Sequence, residues 1–144
     1  MAERLNRTLV EGARSMLHDA KLDITFWAEA IGTMTYIRNR SPTRALSGKT
    51  PEELWSGIKP KVHHMRIFGC EAFAHIPKIK RQKFQAKGVK CIFVGYANET
   101  KGYRLWNPTT KRIIISRDVI FDEGGYMFRH SNDNYTLSFY KFFS

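Results

Sequence analysis

The chain has 144 residues, room for one medium domain or two small ones. It has no apolar run of about 18 residues and opens on a polar, charged stretch, which argues against a membrane span and a secretory signal. Its 24 Lys+Arg against 13 Asp+Glu leave a net charge of +11, a balance that favours polyanions, above all nucleic acid, although excess charge also serves solubility.

The first predicted element is a helix. Leu5, Leu9, Ala13 and Met16 recur at spacings of four, four and three, with Leu17 beside them. Arg7 and Glu11 form an i,i+4 pair of opposite charge on another face. A second helix is expected from about Thr25 to Arg38, where Phe26, Trp27, Ala30, Met34 and Ile37 make a broad apolar face. Ser41-Pro42 ends it, because proline disfavours helical geometry at the residue before it. Thr50-Pro51-Glu52-Glu53 is a compact helix start with Thr50 as N-cap, Pro51 at the first helical position and Glu53 completing a capping box. Leu54 and Trp55 are expected to anchor this short helix, which stops near Gly57.

After Pro60 the pattern changes to strands. Ile67 to His75, Val89 to Tyr96, Gly102 to Trp106 and Arg112 to Phe121 read as four strands, the last two joined by the turn Asn107-Pro108-Thr109-Thr110. Short strands at close spacing predict a small β-barrel, with Gly69 and Gly95 marking bulges or tight bends. The tail from Tyr126 to Ser144 is aromatic and follows neither period.

Few residues suggest chemistry by themselves. Glu3 reads as a first-turn glutamate favoured by the helix dipole. Arg4, Asn6 and Arg7 are candidate phosphate contacts, although successive helix positions point in different directions. The sharpest basic cluster is Lys78, Lys80, Arg81, Lys83, Lys87 and Lys90, which holds no acid and contains Phe84. Placed in a loop between the first two strands, it forms a candidate phosphate-binding surface. Cys70 and Cys91 read as reduced, buried thiols of an intracellular protein. Adjacent His63-His64 and cysteines twenty-one positions apart lack zinc-finger spacing, and nucleophile and phosphate-cradling motifs are missing.

A family resemblance runs through most of the chain. Ala2-Glu3-Arg4 followed by Asn6-Arg7-Thr8 resembles a signature of copia-type retrotransposon integrases. Phe26-Trp27-Ala28-Glu29-Ala30, Tyr36 to Pro42 and Lys49 to Trp55 look like the end of the integrase core. Arg66 to Cys70, Cys91 to Tyr96, Lys101 to Trp106 and Ser116 to Glu123 resemble the SH3-like domain that follows it. The resemblance implies an RNase H-like core with a D,D-E carboxylate triad, two Mg²⁺ ions and insertion of element cDNA into host DNA. Only the glutamate of that triad transfers, as Glu3, and both aspartates are expected upstream of Met1. One carboxylate cannot hold two metal ions, so the Mg²⁺ site is incomplete and no cofactor is expected in the fragment. The SH3-like part is similar to retroviral integrase C-terminal domains, which contact DNA.

These readings predict an α+β chain. Residues 1–60 are expected to be a helical remnant of the core, 61–123 an SH3-like barrel and 124–144 an unassigned tail. The implied function is that of a truncated integrase fragment, inactive in strand transfer by itself, nuclear or cytoplasmic, with non-specific binding of DNA or RNA. No membrane partner is expected, and integrase-type self-association fits the resemblance. The alternative is a domesticated or non-functional protein-interaction module. Core helices normally cover a sheet that is not expected here. Their apolar residues Leu5, Leu9, Phe26 and Trp27 are therefore predicted to be poorly buried or to find substitute partners.

Overall fold

A computed structural model describes residues 2–76, 83 and 88–124. Its helices are α1 (Ala2–Ala20), α2 (Trp27–Asn39) and α3 (Pro51–Ser56), and its strands are β1 (Glu71–His75), β2 (Gly88–Tyr96), β3 (Tyr103–Asn107), β4 (Arg112–Ser116) and β5 (Val119–Asp122). Among the described residues no helix is long and apolar enough to cross a membrane.

The inner face of α1 consists of Gly12, Ala13, Met16 and Leu17, all buried. Leu9 is half-buried, but Leu5 is 43% exposed, so the expected stripe loses its partner toward the N-terminal end. Small residues bring α1 and α2 close. A Cβ added at Gly12 would lie 2.6 Å from the Met34 sulfur, and Ala13 and Ala30 are fully buried. The Asp23 carboxylate accepts from the Thr25 amide at 2.9 Å and caps a 3₁₀ turn, Ile24–Phe26, that leads into α2. At α3, Thr50 Oγ accepts from the Glu53 amide at 3.0 Å and Gly57 closes the helix with a φ of 75°. One expectation fails here: Trp55 is 91% exposed and Leu54 more than half exposed, so neither anchors α3. Ile58 and Val62, farther along the chain, are exposed as well.

The strands form one antiparallel sheet in the order β4-β3-β2-β1-β5. The expected last strand is two strands, because the chain bends at Arg117 and Asp118 and β5 then pairs with β1. This connection dictates the shape of the sheet. In a flat sheet the edges would lie four strand spacings apart, roughly 19 Å. The three Cα steps from Ser116 to Val119 reach at most about 10 Å. The sheet must therefore curl toward the expected barrel.

The two glycines act as the sequence suggested. Gly69, with a φ of 84°, donates to Phe93 O while Phe93 donates to Cys70 O, so two residues face one across the pair. Between β2 and β3 the register passes from Phe93↔Leu105 to Gly95↔Arg104, which leaves Val94 as the extra residue.

The curled sheet has its own interior of Cys70, Ala72, Ala74, Cys91, Phe93, Tyr96 and Leu105. Both thiols are free and buried, and burial, with Glu123 nearby, pushes Cys70 up to about 12, which suppresses its nucleophilic thiolate. A second cluster joins the helices to the outside of the sheet: Ala13, Met16, Leu17, Ala30, Met34, Ile37, Phe68 and Val94. The second half of β2 is thus buried on both faces, which is why it reads as a continuous apolar run. The helices pack on the outer face of the curled sheet. Phe26 meets Trp106 edge-to-face at 5.1 Å, and Glu29 grips Arg104 through two bonds of 2.9 and 2.6 Å.

A bulge leaves a carbonyl outside the ladder, and Thr33 Oγ1 donates to that of Val94 at 2.8 Å, in a buried setting. Thr33→Val should leave this carbonyl without a partner and destabilise the fold by about 1–3 kcal/mol in denaturant titration. A loss below about 0.5 kcal/mol, the range of an ordinary surface change, would contradict this role.

Candidate nucleic-acid interface

The first candidate residues lie at the start of α1. Glu3, Arg4, Asn6 and Arg7 are all exposed. Glu3, Asn6 and Arg7 share a helical face by their spacing, whereas Arg4 stands to one side. Arg7 meets Glu11 at 3.8 Å as its spacing suggested, an exposed pair of about 0.2–0.5 kcal/mol. Among the described residues no group of three His, Cys, Asp or Glu side chains could hold a metal ion. Glu3 by itself does not fit a two-Mg²⁺ centre.

Of the basic cluster, Lys78, Lys80, Arg81 and Lys87 lie outside the described residues, as does Phe84. Lys83 is exposed in a turn. Lys90 stands on β2 rather than in a loop and pairs with Glu71 of β1 at 3.3 Å. That partner neutralises part of its pull on a phosphate.

The structure assembles a further basic surface. The Tyr36 ring lies 4.0 Å from that of Tyr96, nearly parallel at 13°, and the Arg40 guanidinium carbon lies 3.5 Å from its centroid. Residues four apart on a helix share a face, so Tyr36 and Arg40 are neighbours by geometry. Arg40 also donates to the Tyr36 carbonyl at 3.2 Å. The Tyr36 hydroxyl meets His64 Nε2 at 2.6 Å, Tyr103 donates to the His64 carbonyl at 3.0 Å, and the Arg66 amide donates to the Tyr96 hydroxyl at 3.2 Å. This cluster walls a cleft of about 870 Å³ between α2, the segment after α3 and the β2–β3 loop. Arg40, Lys61, His63 and Lys101 line it, with Glu52 and Glu99 as the lining carboxylates. Sequence reasoning missed this constellation. Its one local signal was the spacing of Tyr36 and Arg40.

The chain matches the retroviral polymerase SH3-like domain family over residues 70–134. It is 50% identical over 123 residues to the retrovirus-related Pol polyprotein from transposon TNT 1-94 of Nicotiana tabacum, covering 85% of this chain and 9% of that protein. The Pol polyprotein from transposon RE1 of Arabidopsis thaliana is 33% identical over 138 residues, covering 96% of this chain and 9% of the relative. Pol polyproteins of copia-type transposons are thus homologues of this chain. It is also 37% identical over 84 residues to the uncharacterized mitochondrial protein AtMg00710 of Arabidopsis thaliana, covering 58% of this chain and 70% of that protein. No solved structure matches it significantly. The chain spans about 9% of the length of these transposon relatives. Its α+β architecture, with helices packed on a curled five-stranded sheet, is that expected of a Pol segment carrying an SH3-like domain.

Burial, aided by Arg40, lowers the pKa of His64 from 6.5. The imidazole is then neutral near pH 7, and its tautomer sets whether Nε2 accepts from the Tyr36 hydroxyl or donates to it. Unfolded histidine takes up its proton first as pH falls. The stabilisation is therefore complete above the ordinary histidine pKa of about 6.5 and is lost as pH drops below it. Between about pH 7.5 and pH 5.5 the wild-type melting temperature should fall more than that of His64→Gln. Equal pH dependence of the two proteins would contradict this.

Proposed function

We propose that the chain serves the integration of retrotransposon DNA as a non-catalytic segment that binds nucleic acid, DNA or RNA, with little sequence preference. The observation that carries this reading is the lysine-rich stretch within the matched SH3-like region. It holds Lys78, Lys80, Arg81, Lys83, Lys87 and Lys90 without an intervening acid, in a chain of net charge +11. Charge of this kind recognises phosphates and carries no sequence information. Arg4, Asn6 and Arg7 extend the phosphate contacts along α1 in this reading. In it the helices descend from the integrase core, and Glu3 marks that ancestry without acting as a catalyst. The place of action is inside the cell, in nucleus or cytoplasm.

Contacts to six duplex phosphates would make log K fall against log salt with a slope near −5, as about 0.9 counterion is released per contact. Fluorescence anisotropy with a labelled duplex measures that slope. Affinity unchanged by salt, or by Lys80→Gln with Arg81→Gln and Lys83→Gln, would refute the binding role. Mg²⁺-dependent joining of DNA ends by the purified chain would refute its non-catalytic half.

A further inference from the structure

We propose that the cleft between α2 and the β2–β3 loop binds the phosphodiester backbone of a single nucleic-acid strand, at Arg40, Lys61 and Lys101. This site uses none of the residues of the lysine-rich stretch, and its nucleic-acid partner rests on the function proposed above.

The three cations come from three parts of the chain: the C-cap of α2, the segment after α3 and the loop between β2 and β3. Among the described residues no ion pair engages any of them. Arg104, by contrast, is neutralised by Glu29 through two hydrogen bonds. Arg40 is held in place without a carboxylate, against the face of Tyr36 and by its backbone carbonyl. A guanidinium ordered in advance loses little freedom on meeting a phosphate, and its fork of donors suits phosphate oxygens. Lys61 and Lys101 are exposed and add compact charges.

The shape selects the ligand. A cleft of about 870 Å³ is too large for one inorganic phosphate alone and falls within the usual range of ligand sites. Tyr96 covers one side of the Tyr36 ring and Arg40 packs against its π face, so that ring offers no platform for a base. Recognition then runs through phosphates and is tolerant of sequence. Glu52 and Glu99 on the lining oppose the charge and restrict where a strand can run.

The test is anisotropy with fluorescent oligothymidylate over a salt series, using the full chain. Loss of three phosphate contacts on a single strand should make the salt slope shallower by about 2, at about 0.7 per contact. The variant Arg40→Gln/Lys61→Gln/Lys101→Gln is expected to show that change and at least tenfold weaker binding at low salt. Lys61→Gln/Lys101→Gln touches only exposed side chains, so it keeps the test valid if loss of Arg40 disturbs folding, and it should lower the slope by more than 1. Inorganic phosphate in the same assay should compete only weakly. Wild-type binding that both variants retain, while Lys80→Gln/Arg81→Gln/Lys83→Gln loses it, would overturn the cleft and leave the function above standing. Absence of binding by the wild-type chain would overturn both.

Discussion

The bulge at Val94 puts a carbonyl outside the sheet ladder, and the position of the helices depends on how that carbonyl is satisfied. Water cannot reach it, since Val94 is fully buried, and the hydroxyl of Thr33 takes the place of water at 2.8 Å. Gly95 makes the approach feasible. A Cβ there would sit 3.0 Å from Thr33 Oγ1, tighter than most side-chain contacts. One turn earlier on α2, Glu29 meets Arg104 on the neighbouring strand, so two polar contacts set both the height and the rotation of the helix. Apolar packing of Ala30, Met34 and Ile37 then fills the space that these contacts define.

Once α2 is placed, α1 follows. Gly12 and Ala13 let it settle against Met34, and its own Met16 and Leu17 reach the same cluster as Phe68 and Val94. Helices and sheet consequently share one core through β2, whose alternate side chains point to the helices and to the sheet interior. The same placement creates the cleft. Tyr36 and Arg40 lie at the end of α2 that faces Tyr96, and His64 is held between Tyr36 and Tyr103. A structural need, covering the bulge, thus positions the polar wall where an anion can be met.

Local features were legible in the sequence. The N-cap at Thr50, the buried face of α1 and the bulges at Gly69 and Gly95 each depend on a few neighbouring residues with a direct physical signature. Features that depend on distant residues were not. The break at Arg117 and Asp118 carries no glycine or proline, so two β-rich stretches read as one strand. Trp55 resembled a core residue, yet what a tryptophan meets depends on where its helix is carried. Lys90 seemed one of six equivalent cations until the β1–β2 pairing brought Glu71 beside it. The cleft draws on residues from Gly32 to Tyr103 and has no contiguous motif. The resemblance to copia-type integrases supplied the family, but not the docking of the helices onto the sheet.

The central claim is that helices and sheet form one cooperative body, and native-state hydrogen exchange tests it most directly. Amides of α2 around Met34 and amides of β2 around Phe93 should open with the same free energy and the same denaturant dependence, because they are protected by one shared core. Opening of α1 and α2 at a distinctly lower free energy, with β2 still protected, would contradict it. The helices would then be an appendage of the sheet rather than part of its core.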